Sequence, residues 1–238
     1  MKKNILITGA SSDIGISVVE KYIEDGWSVT AHFNKNNKRL KKLKTQNHDL
    51  DLFYFDFKDI YKFEKFVKKN KFFFKKFDAF VSLTGLNNSK QFNLLNISDL
   101  NYHLNVNYFS SLLIIKELIG PMKNKKWGRI LVTSSIGTKF GGGTTTFAYS
   151  LSKFMNEFFP GSLREKMKYN ILYNCLRIGL TDTKIHKNVK NKNMKKRVNL
   201  IPVQKMAKPI EVAEYIYFLC SSKNNQISNE VLNISGGE

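Results

Sequence analysis

Apolar positions along this chain follow two alternating patterns. Short apolar runs at 4–8, 28–32, 50–55, 79–83, 129–133, 171–177 and 231–234 read as strands. Between them, apolar residues recur at helical spacing, most clearly over 98–122 and 147–166. Ser98 and Asp99 offer an N-cap for the first of these helices, and Gly120-Pro121 is expected to disturb its last turn. Lys62, Lys65, Lys68 and Lys69 interleave with Phe63, Phe66 and Val67, which predicts an amphipathic helix with a solvated basic face. Strands alternating with helices throughout predict an α/β fold, with a doubly wound parallel sheet and helices on both faces. No repeat and no Pro- or Ser-rich linker divides the 238 residues, so a single domain over 1–238 is expected.

The first strand-to-helix junction carries chemistry. Ile5-Leu6-Ile7 breaks into Thr8-Gly9-Ala10-Ser11-Ser12-Asp13-Ile14-Gly15, and Ile14, Val18, Val19 and Ile23 follow at helical spacing. Gly9 permits a tight turn, and Gly15 permits close approach of helix to strand or ligand. Ser11 and Ser12 offer hydroxyl donors, and the free amides of a helix N-terminus suit a phosphate.

A second group lies near the middle of the chain. Tyr149 and Lys153 stand four apart in Tyr149-Ser150-Leu151-Ser152-Lys153, on one face of a predicted helix. A phenol keeps its proton up to a pKa of about 10, and a neighbouring ammonium favours the phenolate. The spacing therefore predicts an acid/base group tuned toward neutral pH. Ser135, at the end of the 129–133 run, adds a hydroxyl, with Ser134 as the alternate.

These segments together resemble the short-chain dehydrogenase/reductase family in its single-domain form, over nearly the whole chain. Thr8-Gly9 with Gly15 resembles the family's cofactor turn, and Asp56 matches the acid that holds the adenine amine. Ser135, Tyr149 and Lys153 match the catalytic serine, tyrosine and lysine, and Asn107 resembles the helix asparagine that completes them. Gly179 to Thr183 resembles the loop after the sixth strand, and Ser235-Gly236-Gly237 the C-terminal double glycine.

The resemblance implies a Rossmann-like domain in which hydride passes between a nicotinamide dinucleotide and a carbonyl or alcohol. Tyr149 would donate the proton, Ser135 would orient the carbonyl, Lys153 would lower the tyrosine pKa and bind the ribose, and Asn107 would hold a relay water. Cofactor contacts are expected from Gly9, Ser11, Ser12, Ile14, Gly15, Asn34, Lys35, Asp56, Phe57, Gly85, Tyr149, Lys153, Gly179, Thr181 and Thr183.

Four positions depart from the family pattern. Asp13 stands where a glycine or alanine is usual, Ser82-Leu83-Thr84-Gly85 keeps only the glycine of its turn, and Ile178 replaces a proline. Gly141-Gly142-Gly143 lies between Ser135 and Tyr149.

The end of the second strand bears on cofactor choice. An acid there would serve the ribose of NAD. The chain instead reads His32-Phe33-Asn34-Lys35-Asn36-Asn37-Lys38-Arg39, which favours NADP(H) over NAD(H), with Lys35, Lys38 or Arg39 facing the extra phosphate.

Net charge is +20, from 39 basic and 19 acidic residues. The lysines are scattered rather than gathered in one stripe, so nucleic acid is not the expected partner. The Phe72-Phe73-Phe74 cluster is expected to seal the core rather than stack bases. The leading residues are too short an apolar run for a signal peptide, and no run approaches a membrane span, so a cytoplasmic protein is expected. Cys175 and Cys220 read as buried, and His32, His48, His103 and His186 have no metal-ligand spacing.

A basic lid over about 184–208, with Val189, Met194, Val198, Leu200 and Ile201, points to an anionic small-molecule substrate. Residues 134–142 loosely resemble reductases of surface-polysaccharide genes, which suggests a sugar derivative. A 3-oxoacyl-acyl-carrier-protein reductase is the competing reading, and a non-catalytic dinucleotide sensor or scaffold the one from another class. The family also implies a homodimer or homotetramer built on the two long helices.

Overall fold

The computed structural model describes residues 2–184 and 194–238. All seven expected strands form and pair in parallel: β1 Asn4–Thr8, β2 Ser28–Phe33, β3 Leu50–Tyr54, β4 Ala79–Ser82, β5 Gly128–Ser135, β6 Ile171–Ile178 and β7 Val231–Ile234. Their order is β3-β2-β1-β4-β5-β6-β7. The order reverses between β1 and β4, and in such sheets a crevice opens there at the carboxyl ends of the strands. Thr8, Ser82 and Ser135 end the three central strands at that edge.

Apolar faces on both sides of the sheet require two cores. One joins Ile5, Ile7, Val29, Ala31 and Leu131 to α1 (Asp13–Glu24) and to a helix over Pro209–Leu219. The chain runs on from α1 through α2 (Lys38–Gln46) to α3 (Ile60–Lys69) and α4 (Lys71–Phe74), and the other core joins Leu6, Phe80, Ile130 and Val132 to α3 and to the helix around Leu118. Phe73 and Phe74 pack into this second layer, with Phe73 5.3 Å from Phe53, whereas Phe72 is exposed. The expected sealing role thus belongs to two of the three phenylalanines.

Three helix expectations change. The helix predicted from Ser98 begins at Ile97, because Asn96 and Asp99 form a reciprocal capping box; Asn96 Oδ1 accepts from the Asp99 amide at 2.9 Å. α5 (Ile97–Leu104) then passes through a π-helical turn, Asn105–Phe109, into α6 (Ser110–Lys125). Pro121 sits inside α6 without ending it; the stop comes at Lys126, in the left-handed conformation.

The third change lies after the Tyr149–Lys153 pair. The helix expected over 147–166 breaks: α7 covers only Phe147–Phe154, a 3-10 turn covers Met155–Glu157, and helix resumes at Gly161–Arg164. Pro160 has no N–H to donate, and its ring steers Phe159 away from helical geometry.

Of the expected lid, 185–193, which includes His186 and Val189, lies outside the described residues. Its later part forms a short helix, Met194–Asn199, and a segment in which Ile201 is buried.

Candidate active site

The turn after β1 is built as its sequence suggested, with different donors. Gly9 has φ +69, and a Cβ there would come within 2.6 Å of the Leu83 carbonyl carbon. A Cβ on Gly15 would lie 2.6 Å from the Gly9 oxygen. Both glycines are thus required by close backbone approach, and the result is a cradle of backbone groups at a helix N-terminus, which suits a dinucleotide pyrophosphate.

Ser12 caps α1: its Oγ accepts from the Gly15 amide at 3.0 Å and donates to the Gly9 oxygen at 2.9 Å. That hydroxyl is committed to the turn itself, contrary to the expectation that it faces the phosphate. Ile14 and Ser11 are half-buried beside it. The Asp13 carboxylate turns aside, accepting from Arg39 and from the Lys184 amide, the latter at 2.7 Å. Burial alone would raise its pKa, but these two donors hold it below the ordinary value. Of the three cations considered for an extra phosphate, Arg39 is therefore already paired, while Lys35 and Lys38 are exposed.

Asp56 follows β3. Its Oδ1 accepts from Asn34 Nδ2 at 3.2 Å and from the Lys58 amide at 3.0 Å, which joins the ends of β2 and β3. Phe57 is buried and stacks on His32, with ring centroids 4.2 Å apart.

Below the turn after β4, three hydroxyls form a chain. Thr8 Oγ1 donates to Ser82 Oγ at 3.3 Å, and Ser82 and Thr84 hydroxyls lie 3.2 Å apart. The Thr84 carbonyl accepts from Lys153 Nζ at 2.7 Å. Nζ also lies 3.1 Å from the Thr133 oxygen. Gly85 passes just above: a Cβ there would be 3.9 Å from the ammonium. The lysine is 4% exposed, and burial lowers its pKa to about 8.

Tyr149 lies one turn before Lys153 on α7 and is half-buried. Burial raises its pKa, and its hydrogen-bonding interaction with the Ser135 hydroxyl pulls in the opposite direction. The Lys153 ammonium is turned instead to carbonyl oxygens of β5 and of the turn after β4. Ser134, the alternate for Ser135, donates instead to Glu157. That carboxylate also accepts from Thr138 Oγ1 at 2.7 Å and from Arg177 Nε at 2.8 Å. Burial opposes the Glu157 charge, but Arg177, Ser134 and Thr138 outweigh it and lower its pKa.

Asn107 sits on the π-helical turn, a deformation common at functional sites. Its Oδ1 accepts from the Leu86 amide at 2.7 Å, and its Nδ2 donates to the Leu86 oxygen at 2.9 Å and to Ser152 Oγ at 2.8 Å. The side chain is fully spent on protein groups. Its backbone oxygen accepts from Asn156 Nδ2 at 2.9 Å, and the same amide lies 3.4 Å from the Thr133 oxygen that Lys153 uses. Sequence reasoning passed over Asn156, Glu157 and His32, whose partners are distant in sequence.

At the far side, a Cβ on Gly179 would lie 2.6 Å from Ser235 Cα. Thr181 is buried, with its hydroxyl on the Gly179 oxygen at 3.2 Å. Thr183 is half-buried just before the undescribed stretch. Among the described residues, no group of three or more His, Cys, Asp or Glu could hold a metal ion, and no helix is long and apolar enough to cross a membrane.

This assembly, a glycine cradle beside a serine, tyrosine and buried lysine at the sheet's switch point, defines a nicotinamide-dependent oxidoreductase of the Rossmann type. The family model described as short chain dehydrogenase matches residues 3–194, and the chain belongs to that family. A 3-oxoacyl-[acyl-carrier-protein] reductase of Buchnera aphidicola subsp. Baizongia pistaciae is 28% identical over 99% of this chain and 97% of its own length. One from Aquifex aeolicus is 29% identical over 67% of this chain and 64% of its own length. The solved structure of ElxO with NADP bound has a TM-score of 0.85 and 25% identity, covering 99% of this chain and 98% of that one.

Proposed function

We propose that this protein is an NADP(H)-dependent carbonyl reductase whose substrate is a 3-oxoacyl thioester presented on an acyl carrier. The observation that carries the reaction type is the convergence of Ser135, Tyr149 and a buried Lys153 beside the Gly9–Gly15 cradle. The curated relatives, 3-oxoacyl reductases among them, support the thioester. They rank it above a sugar derivative, which rests only on the loose likeness of 134–142. A positively charged surface suits an anionic carrier or substrate and fits the same reading.

The reduced nicotinamide, when bound, supplies a hydride to the substrate carbonyl carbon. Gly9, Ser11, Ile14 and Gly15 would hold the pyrophosphate, Asp56 and Phe57 the adenine end, and Gly85, Gly179, Thr181 and Thr183 the nicotinamide half. The absence of an acid after β2, and the presence of Asn34, Lys35 and Lys38 there, support NADP(H).

Ser135 would hydrogen-bond the substrate oxygen and stabilise charge as it develops. Tyr149, with its proton held by burial, is the donor to that oxygen. Lys153 would position the ribose and replenish the tyrosine proton, with Asn107 and Asn156 shaping the route behind it. The work belongs in the cytoplasm, where acyl carriers and reduced NADP are found together, and in a homo-oligomer.

The test is turnover of acetoacetyl-acyl-carrier-protein with NADPH and with NADH. We expect a kcat/KM at least about tenfold higher with NADPH, a difference of about 1.4 kcal/mol. Equal use of NADH would remove the NADP preference. Oxidation of NADPH only with ketosugar nucleotides would replace the thioester, and binding without turnover of any carbonyl would favour the sensor reading.

A further inference from the structure

His32 is a buried imidazole that the chemistry above does not use. It lies in β2, is 2% exposed, and makes two ring hydrogen bonds to backbone groups of different elements. The Gly9 amide donates to Nδ1 at 3.2 Å, and Nε2 lies 2.9 Å from the Phe55 carbonyl. An amide can only donate and a carbonyl can only accept, so Nδ1 carries no proton and Nε2 carries one. The ring face lies on Phe57, with planes inclined by 16°. His32 also uses its own carbonyl, which accepts from the Ala10 amide at 2.9 Å.

Each of these partners belongs to one end of the candidate dinucleotide site. Gly9 and Ala10 form the turn, and Phe55 and Phe57 flank Asp56. We propose that His32 is a positioning residue for the dinucleotide, a neutral imidazole that ties the Gly9 turn to the Phe55–Phe57 segment and so sets the distance between the pyrophosphate and adenine subsites. The proposal rests on the dinucleotide reading of the site. Burial supports the neutral form, lowering the imidazole pKa to about 4. An imidazolium would set a second N–H against the Gly9 amide and break the tie.

The geometry separates the two bonds by substitution. In His32→Asn the side-chain oxygen falls near the Nδ1 position and can still accept from Gly9. In His32→Gln the side-chain amide reaches the Nε2 position and serves only Phe55. His32→Phe keeps the stacking and neither bond.

NADPH titrations of wild type and the three variants, alongside their melting temperatures, test the assignment. We expect His32→Asn to bind within about threefold of wild type, and His32→Gln and His32→Phe to bind about tenfold more weakly, about 1.4 kcal/mol. We expect the Asn and Gln variants to melt alike, so that the difference in binding is not one of stability. Equal affinity in all four proteins, or an Asn variant as impaired as the Gln variant, overturns the proposal. The imidazole 15N spectrum of the wild type at neutral pH should show the Nε2–H tautomer, whether or not nucleotide is present. A protonated Nδ1 overturns the role by itself. Wild type that binds neither NADPH nor NADH overturns the dinucleotide reading and this role with it, and the tautomer measurement then shows whether the bonds themselves were right.

Discussion

Lys153 carries its charge into an interior where oxygen atoms of Thr84 and Thr133 accept from it. Removing an ammonium from water disfavours the charged form, which is why its pKa falls from 10.5 to about 8. The proposed reaction needs the cationic lysine and the protonated Tyr149. The rate of NADPH-dependent reduction is therefore expected to fall as pH rises through about 8, and a kcat/KM profile from pH 6 to 10 measures it. Lys153→Arg, which stays charged throughout, should lose that limb along with most of the activity. The sign for stability is opposite. Between about 8 and 10.5 the unfolded chain binds the proton that the folded chain has released, so this group makes the fold more stable as pH rises across that window. Sequence spacing was enough to place Tyr149 and Lys153 on one helix face. It gave no sign that the ammonium would turn to carbonyls of β5 and of the turn after β4, because the Thr84 and Thr133 oxygens belong to a backbone that spacing does not see.

The elements around α7 show what pattern reading reaches and where it stops. Seven apolar runs became seven strands, since a buried parallel strand is written in its own residues. The long helix after Tyr149 was over-read because its apolar periodicity continued past Pro160, a residue whose missing N–H outweighs periodicity. The break leaves Asn156 and Glu157 on a 3-10 turn, with Asn156 reaching the Asn107 and Thr133 oxygens and Glu157 the junction where β5 ends at Ser135. Glu157 receives Ser134 from the end of β5, Thr138 from the turn that follows it, and Arg177 from β6. A charge count could suggest the pair with Arg177, but the two hydroxyls could not be assigned without the fold. Glu157→Gln removes the charge from a buried acceptor while leaving Arg177 with some solvent. The expected cost is about 2–3 kcal/mol of stability, with kcat reduced because the end of β5 that carries Ser135 loosens. Because the Glu157 pKa is lowered, its stabilisation is present above the ordinary carboxyl value of 4.5 and is lost as pH falls through the lowered one. Urea unfolding of both proteins at pH 7 and pH 4 checks this: the difference should shrink at the lower pH.

Across the whole molecule, the parallel sheet gathers the ends of its central strands along one edge, and the residues legible from sequence collect there from segments far apart in the chain. What sequence left open at this scale is the use of the +20 charge. Some of it is paired, as in Lys125 with Asp78 and Lys90 with Asp99, yet basic residues outnumber acidic ones by 39 to 19. A field of that sign attracts anions over about a Debye length. The association rate constant for NADPH should fall severalfold between about 10 mM and about 200 mM salt, with the dissociation rate much less affected. Stopped-flow fluorescence resolves the two; a salt-independent association rate would show that the charge plays no part in cofactor capture.

The central claim is that Tyr149 gives its proton to a carbonyl oxygen in a site organised by NADPH. The most direct measurement compares wild type and Tyr149→Phe for NADPH binding and for NADPH oxidation with acetoacetyl-acyl-carrier-protein. We expect nucleotide affinity within about threefold and a loss in kcat of about 10²–10⁴. A phenylalanine variant that turns over at the wild-type rate would contradict it.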